Sequence, residues 1–391
     1  MRERSVPPTI RSETPAIGSD SYQTSNHGLS WTEEDCAHAH RWAWSGGMRS
    51  AARILATVTV LAVIATACSG AGEPTGIQST STTDTSAWER LDPAPSTRSE
   101  VGTATVGTRI HVIGGFDALG DSLATVEVFD TDTGQWEPGP DLPAPVNHAM
   151  AAAVGDAVYV FGGYRGRLTD VRSEVFRLDD GAWQEMAPMP EGRAAGTAIA
   201  ADGTVYVAGG MTPHGDGPGT HLAEEMLVYD AAADDWSTAP GPPTPREHLG
   251  GAGSGGLVYT VGGRRPSDRE PYENQGAFEM YDPATGQWSA LADLPTPRGG
   301  LSAAATCSGH IVAVGGENLE DGGASTFAEV EAFDPGAGTW QALPPMPIRR
   351  HGLGVATVDT VLYTLAGGPN AGLTVSDITE AIDLAALGTC P

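Results

Sequence analysis

The chain has 391 residues, with 52 Gly and 29 Pro, and aromatic residues make up only 6% of it. This composition suits many short strands joined by tight turns, and it argues against long helices and against one ordinary compact core. The formal charge of −28 at pH 7 would repel phosphate backbones, so nucleic acid is not expected as a partner.

A fourteen-residue apolar run, Ile54–Ala67, follows Met48, Arg49 and Arg53 and ends at Cys68. The run is too short to span a bilayer comfortably. A basic start, an apolar middle and small residues before a cleavage point are typical of a secretory signal peptide. The sequence therefore predicts export.

Cys68 resembles the lipidated cysteine of a bacterial lipobox. Ala65 stands where the lipobox usually has Leu, so ordinary signal cleavage and a retained N-terminal anchor stay open as alternatives. We interpret residues 48–68 as the signal peptide and residues 1–47 as untranslated or disordered, with translation starting at Met48. Residues 69–86 are rich in Ser, Thr and Gly and predict a flexible tether.

From Trp88 onward the chain repeats itself with a period of 47 to 53 residues. Each repeat carries a Gly-Gly pair and a Trp, and the spacing from Trp to the next pair is 26 or 27 residues. Such a period predicts propeller blades or solenoid units. The pairs are Gly114-Gly115, Gly162-Gly163, Gly209-Gly210, Gly262-Gly263, Gly315-Gly316 and Gly367-Gly368. The tryptophans are Trp88, Trp136, Trp183, Trp236, Trp288 and Trp340.

Each repeat is predicted to contain four strands, here called a to d. Strand a is small and apolar, strand b ends in Gly-Gly, strand c ends near an aromatic residue seven positions before the Trp, and strand d carries the Trp. This pattern resembles the Kelch repeat of the galactose oxidase/Kelch superfamily. The resemblance implies an all-β, six-bladed Kelch β-propeller over residues 87–391, with glycines where backbones approach closely and Trp side chains between blades.

The two ends of the repeat region complement each other. Ile378–Asp383 aligns with strand c of the last repeat, but Thr389 stands where a Trp is expected. Trp88, conversely, lies in a strand d with no blade before it. We therefore expect the N-terminal strand carrying Trp88 to close the last blade, which hides edge strands.

Two cysteines fall in turns that share one face of a propeller. Cys307 lies in the fifth a–b turn, and Cys390 lies near the sixth c–d position. An exported protein meets oxidising conditions, so a Cys307–Cys390 disulfide is a hypothesis, with two free thiols as the alternative.

An arginine recurs ten residues after five of the six tryptophans, and a glutamate recurs in strand c of five repeats. These residues predict either an anion site at the axis or an ion pair inside each blade. We favour the ion pair, because a ligand is rarely six-fold symmetric. The arginines are Arg98, Arg193, Arg246, Arg298 and Arg350, with Val146 as the exception. The glutamates are Glu127, Glu174, Glu279, Glu331 and Glu380, with Leu227 as the exception.

Residues that break the symmetry are better candidates for binding, and they lie in the long b–c loops, on the face where propeller sites usually lie. Guanidinium groups beside an aromatic ring suit a sugar acid or an acidic protein patch. Two loop histidines have metal-binding side chains, but their Gly- and Pro-rich setting favours a solvated loop, so no metal is predicted. The candidate ligand-binding residues are Arg264, Arg265, Arg269, Tyr272, Glu273, His214 and His221. His148, His248 and His351 are expected only to pack near the starts of strand a.

No catalytic motif or cofactor fingerprint stands in a suitable context. Catalytic residues stay unassigned, no cofactor is predicted, and the sequence leans against an enzyme. We interpret the chain as a monomeric propeller that binds protein or carbohydrate at the cell surface, held on the extracytoplasmic face of the cell membrane by a lipid anchor. The resemblance implies, as the alternative, a sugar-acid-active enzyme similar to sialic acid mutarotases. A copper radical enzyme similar to galactose oxidase ranks last.

Overall fold

The computed structural model describes residues 87–166, 168, 170–215, 219–268, 270–320 and 323–390. The segments 1–47, 48–68 and 69–86, with Cys68, lie outside the described residues, as does Arg269. The described residues form strands throughout, apart from turns and a 3-10 helix over Ala385–Leu387. Among them, no helix has the length and apolar character needed to cross a membrane.

In chain order the strands are β1 (Trp88–Arg90), β2 (Gly102–Val106), β3 (Arg109–Ile113), β4 (Val126–Asp130), β5 (Gln135–Pro138), β6 (Met150–Val154), β7 (Ala157–Phe161), β8 (Tyr164–Arg165), β9 (Asp170–Val171), β10 (Val175–Asp179), β11 (Ala182–Met186), β12 (Thr197–Ala201), β13 (Thr204–Ala208), β14 (Met211–Pro213), β15 (Thr220–Leu222), β16 (Glu225–Asp230), β17 (Asp235–Pro240), β18 (Gly250–Ser254), β19 (Leu257–Val261), β20 (Arg264–Arg265), β21 (Glu273–Asn274), β22 (Phe278–Asp282), β23 (Gln287–Ala290), β24 (Ser302–Ala305), β25 (Ile311–Val314), β26 (Glu317–Asn318), β27 (Ser325–Thr326), β28 (Val330–Asp334), β29 (Thr339–Ala342), β30 (Gly354–Val358), β31 (Val361–Leu365) and β32 (Thr379–Asp383).

Six antiparallel four-stranded sheets form the blades of a propeller, one for each repeat. The innermost strands, called a in the sequence, are β2, β6, β12, β18, β24 and β30 for blades 1 to 6. Each of them lies against strand a of the next blade, and β30 lies against β2, so the sheets close into a ring. The predicted all-β, six-bladed architecture is confirmed.

The sixth blade is completed from the N-terminal side, as predicted. Strand β1 pairs antiparallel with β32, with Trp88 opposite Ile382. Trp88 is only 8% exposed and packs in a core cluster with Ile382, Leu384 and Met346. The edge that β32 would otherwise expose is therefore covered by β1.

The tryptophans join neighbouring blades through hydrogen bonds as well as through packing. Each indole Nε1–H donates to the backbone carbonyl four residues after the preceding tryptophan, as Trp136 does to Asp92 at 3.0 Å. Trp88 completes this circle by donating to Pro344 O at 2.9 Å, across 256 positions of sequence. The remaining four bonds join Trp183 to Pro140, Trp236 to Ala187, Trp288 to Pro240 and Trp340 to Ala292.

The Gly-Gly pairs lie where one blade meets the next. Gly162 has a φ of +51°, and a Cβ at that position would lie 2.3 Å from the Arg193 carbonyl oxygen of the following blade. The adjacent Gly163 N–H donates to the same oxygen at 2.8 Å. Only glycine permits this approach, which explains the recurrence of the pair.

The C-terminal tail is fastened to the fifth blade. Cys307, in the turn between β24 and β25, forms a disulfide with Cys390, with Cα atoms 5.0 Å apart. Next to the bond, Gly388 lies against Ser308. The tail that follows β32 is thus tied to the blade preceding its own.

The long b–c loops contain short ribbons, which the repeat pattern did not predict. Two-stranded ribbons form in blades 2 to 5, from β8 and β9, β14 and β15, β20 and β21, and β26 and β27. These ribbons give the loops backbone pairing of their own. Their side chains are consequently held at defined positions above the axis of the propeller.

Candidate functional site: the cavity at the propeller mouth

Six residues at equivalent places in the repeats form a hydrogen-bonded ring where the chain enters each strand a. Each backbone N–H donates to the carbonyl of the equivalent residue one blade back, at 2.7 to 3.2 Å. All six residues have positive φ, between 50° and 65°. We call this set the axial ring; it consists of Glu100, His148, Ala195, His248, Gly300 and Gly352.

The axial ring is chemically asymmetric, because only Glu100, His148 and His248 carry polar side chains. Four largely buried polar residues adjoin them, two from the position before the ring and two from the first residues of β20 and β26. Together these seven residues form what we call the mouth cluster: Glu100, His148, Glu247, His248, Arg264, Glu317 and His351.

Arg264 lies between two carboxylates. Its Nε donates to Glu247 Oε1 at 2.8 Å, and its Nη1 donates to Glu317 Oε1 at 2.7 Å. Burial disfavours the guanidinium, but Glu247 and Glu317 outweigh burial and raise the pKa of Arg264. Burial also opposes ionisation of Glu247, but His248 and Arg264 lower the pKa of that carboxyl to about 2. Arg264 therefore stays charged, and its charge is compensated by the two carboxylates that bind it.

The three histidines differ in their surroundings. His148 Nε2 lies 3.3 Å from Glu100 Oε2, yet burial lowers the pKa of His148 to about 4 against the opposing effect of Glu100. Burial also disfavours protonation of His351, but its hydrogen bond to Glu100 raises the pKa of His351. Glu100 itself has a lowered pKa, because the neighbouring imidazoles of His148 and His351 outweigh burial.

The mouth cluster forms the floor of a cavity of about 430 Å³. The rim is apolar and comes from the b–c loops. It includes Leu168, Tyr272 and Leu373, whose exposed fractions are 50%, 45% and 54%. On the other side of the axial ring, a cavity of about 170 Å³ is lined by the starts of strand a. The ionisable side chains of the mouth cluster are thus buried at the axis, and exposed apolar side chains surround the opening above them.

Two groups within the mouth cluster place potential metal ligands close together. One is Glu100, His148 and His248, and the other is Glu100, Glu317 and His351. In each group the ligand-type atoms lie within 4.8 Å of one another. Imidazole nitrogen with carboxylate oxygen is a donor set that suits divalent transition metals.

The structure separates the ligand-binding candidates named from sequence. Arg264 and Tyr272 line the cavity, with the Arg264 Cζ 5.2 Å from the centre of the Tyr272 ring. The exposed rings of His214 and His221 stack on each other at 4.6 Å, and neither residue lines the cavity. Arg265 and Glu273 pair through their backbones on the ribbon of blade 4 and do not line the cavity.

The recurrent arginines lie inside the blades and are fully buried. Where a blade has both the arginine and the glutamate, these two residues form an ion pair, as Arg246 Nη1 and Glu279 Oε2 do at 2.6 Å. The other such pairs are Arg98 with Glu127, Arg298 with Glu331 and Arg350 with Glu380. In these four blades the contacts match the interpretation of an internal ion pair rather than that of an anion site.

Two blades break this pattern in complementary ways. In blade 3, Leu227 replaces the glutamate, and Arg193 keeps only backbone carbonyls as hydrogen-bond acceptors at Nη1. Its Nε and Nη2 have no hydrogen-bond partner, and burial lowers the pKa of Arg193 to about 10. In blade 2, Val146 replaces the arginine, and Glu174 instead pairs with Arg172 nearer the surface.

The closed ring of six four-stranded blades, each with Gly-Gly and Trp in register, defines a Kelch-type β-propeller. Comparison with known proteins agrees. The chain belongs to the family described as the KLHDC2/KLHL20/DRC7 Kelch-repeats domain, which matches residues 73–241 and, overlapping, 147–368. It is therefore a Kelch propeller, a domain type that typically serves protein interaction.

Individual relatives share part of the propeller. The chain is 28% identical over 153 residues to Kelch-like protein terF of Aspergillus terreus, covering 39% of this chain and 32% of that protein. It is 34% identical over 113 residues to Kelch-like ECH-associated protein 1B of Danio rerio, covering 28% and 18%. It is 29% identical over 196 residues to Kelch-like protein 7 of Rattus norvegicus, covering 38% and 33%. The matches thus span a third or less of these relatives.

The sequence reasoning missed most of the mouth cluster. Glu100, Glu247 and Glu317 were not singled out, and the three histidines were expected only to pack near strand a. A usable signal exists, because the axial ring position lies twelve residues after every tryptophan. Titratable residues at three of these six places, with Ala or Gly at the others, mark where the symmetry is broken.

Proposed function

We propose that this chain is an exported Kelch propeller, held at the outer face of the cytoplasmic membrane by a lipid on Cys68, that binds a protein partner at the mouth cavity. The observation that carries the binding proposal is the distribution of exposed apolar side chains. Among the described residues, the large exposed hydrophobic side chains are Leu119, Leu168, Tyr272 and Leu373, and all lie in b–c loops.

Exposed apolar groups concentrated on one face favour a docking surface, whereas scattered ones do not. Leu168, Tyr272 and Leu373 come from blades 2, 4 and 6 and line the same cavity. A cavity of about 430 Å³ has room for one or two side chains of a partner. We therefore expect a polypeptide segment that inserts apolar side chains between these residues.

The binding proposal is tested by site-specific photocrosslinking. A photoreactive phenylalanine analogue at Tyr272 should crosslink a defined envelope protein, and the same analogue at Thr133, in an exposed c–d turn, should not. With the purified partner, Leu168→Glu combined with Leu373→Glu should weaken binding at least tenfold, because it places charge in the apolar rim. Thr133→Glu is the matched control. Unchanged affinity of the rim variant would overturn the proposal.

A glycan or a sugar-acid enzyme remains the competing outcome. The floor arginine, Arg264, is already bound by Glu247 and Glu317, which leaves it poorly suited to a sugar carboxylate. Sialic and uronic acids should therefore leave the thermal unfolding midpoint of the protein unchanged. A concentration-dependent rise that disappears in Arg264→Met would instead favour a carbohydrate site.

The tether rests on the signal-like segment that ends at Cys68, and the Cys307–Cys390 disulfide is consistent with an oxidising compartment. In a bacterium that processes lipoproteins, the chain should incorporate labelled palmitate and fractionate with membranes. Cys68→Ser should abolish the label and release the protein, whereas replacing both Cys307 and Cys390 by serine should leave the label in place. Persistent labelling of Cys68→Ser would contradict acylation at this residue.

A further inference from the structure

Two imidazoles of the axial ring are held with their Nδ1 atoms engaged on neighbouring side chains. His148 Nδ1 lies 2.6 Å from Asn147 Oδ1. The orientation of the Asn147 amide is fixed, because its Nδ2 donates to the carbonyls of Gly166 at 2.8 Å and Tyr164 at 3.3 Å. Asn147 Oδ1 can only accept, so His148 Nδ1 carries the hydrogen and Nε2 is the remaining ligand atom.

His248 is arranged in the same way by a different residue. Its Nδ1 lies 2.8 Å from Glu247 Oε2, and the other oxygen of that carboxylate accepts from Arg264 Nε. Glu247 therefore accepts the Nδ1–H of His248 and leaves Nε2 as the ring nitrogen that can bind a metal. An imidazole with its second nitrogen bound to a carboxylate or amide oxygen is the usual arrangement of a metal-ligating histidine.

The two carboxylate oxygens of Glu100 contact different histidines. Oε1 accepts from His351 Nδ1 at 3.0 Å, and Oε2 lies 3.3 Å from His148 Nε2. A positive charge between these two atoms, either a proton on Nε2 or a bound metal ion, favours so short a separation. Arg264 is directed at Glu247 and Glu317, so it does not fill that role.

We propose that Glu100, His148 and His248 bind one divalent transition-metal ion, with zinc as the reference case, at the floor of the mouth cavity. Zinc binds His nitrogen and carboxylate oxygen at about 2.0–2.1 Å, which in a tetrahedral site separates ligand atoms by roughly 3.3 Å. The Glu100–His148 separation is 3.3 Å, and the ligand atoms of all three residues lie within 4.8 Å of one another. Small side-chain rotations therefore suffice to complete the site.

Three protein ligands leave a coordination position for water or for a group of a bound partner. Glu100, His148 and His248 line both the mouth cavity and the smaller cavity on the other side of the axial ring, so a further ligand has space beside them. Calcium and magnesium are not expected, because they prefer oxygen ligands. This inference goes beyond the proposed protein binding and does not depend on it.

The full-length chain, stripped with a chelator, is titrated with zinc chloride by calorimetry, and bound metal is counted by mass spectrometry. One zinc per chain is expected, with micromolar or tighter affinity. His148→Gln and His248→Gln should each weaken binding by at least a hundredfold, and Glu247→Gln by ten- to a hundredfold through the orientation of His248. His214→Gln combined with His221→Gln is the matched control and should leave the affinity unchanged.

X-ray absorption of the zinc-loaded native chain provides a readout that does not depend on variant folding. Two imidazole nitrogens and a carboxylate oxygen at about 2.0–2.1 Å are expected. Scattering from sulfur at about 2.3 Å would show that a cysteine binds the metal elsewhere. That result, the absence of zinc binding, or loss of zinc only in the His214, His221 variant would each overturn the proposal.

Discussion

At the scale of single residues, four of the five recurrent arginines are buried with a glutamate partner, and the fifth, Arg193, is buried without one. Arg246 and Glu279 are both buried and satisfy each other, whereas Arg193 keeps two nitrogens without hydrogen-bond partners and has only the half-exposed Glu191 carboxylate, 3.9 Å from Nη2, beside it. Removing one member of a buried ion pair is far more costly than removing both. Comparing these two blades thus tests how much a buried ion pair contributes to the free energy of unfolding.

We predict that Arg246→Met lowers the free energy of unfolding by about 3–5 kcal/mol, because it leaves the Glu279 carboxylate buried and unpaired. Arg193→Met should cost about 1 kcal/mol or less, since it removes a cation that has no carboxylate partner inside the blade. Urea unfolding followed by tryptophan fluorescence measures both. Adding Glu279→Leu to Arg246→Met should recover most of the loss, and equal losses in the two single variants would contradict the argument.

The sequence could predict such residues only in part. Arg98 and its equivalents stand out because they recur, and recurrence is what favours an internal ion pair over a ligand site. At the axial ring position histidine stands in only two repeats and glutamate in one, so no single residue type marks it, and each residue is unremarkable in its own stretch of sequence. They are brought together by the arrangement of the blades around one axis, which places residues 48, 100 and 148 positions apart close to one another.

At the scale of strands and loops, the hydrogen bonds of the tryptophans join each blade to its neighbour. Trp88 differs from the other five because it is buried, while they remain partly exposed. It also lies in a three-residue strand that is joined to the rest of its blade only by pairing with β32. The blade is therefore most sensitive to substitution at its closing strand.

Trp88→Ala is expected to lower the free energy of unfolding by about 3–5 kcal/mol, because it removes a large buried side chain and the bond to Pro344. Trp288→Ala should cost about half as much, since that side chain is already partly exposed. Trp88→Phe should lose about 1 kcal/mol, chiefly for the hydrogen bond. Thermal and urea unfolding of the three variants provide the comparison. A larger loss for Trp288→Ala would contradict the special role of β1.

Strand order and closure were predictable, because packing fixes the Trp to Gly-Gly spacing and leaves one loop free to vary. The ribbons in the b–c loops were not predictable from that pattern. Strands such as Tyr164–Arg165 are two residues long, too short to show an alternation of side chains. Their pairing depends on the geometry of the blade beneath them rather than on local sequence.

At the scale of the whole molecule, three sets of contacts hold the ring of blades closed. The axial ring joins all six blades near the axis, the tryptophan bonds join them on the outer strands, and the Cys307–Cys390 disulfide ties the tail to blade 5. The axial ring and the tryptophan hydrogen bonds each require all six blades. The disulfide instead acts on the unfolded chain by linking cysteines 83 positions apart.

Replacing both cysteines by serine should lower the free energy of unfolding by about 2–5 kcal/mol, as expected for a native disulfide that closes a long loop. Thr133→Ser, in an exposed turn, is the control and should have no such effect. Intact mass under non-reducing conditions should show no free thiol at positions 307 and 390. Equal stability of the oxidised protein and the double serine variant would show that the bond contributes little to folding.

The closure of blade 6 also determines how the molecule is assembled. Strand β1 is synthesised before any other strand of the propeller, yet its partner β32 is made after all the others. Trp88–Arg90 must therefore wait, unpaired, while five complete blades fold behind it. Until that pairing forms, β32 of another copy would pair with β1 equally well. Exchange of this one strand between two chains would therefore give a domain-swapped dimer.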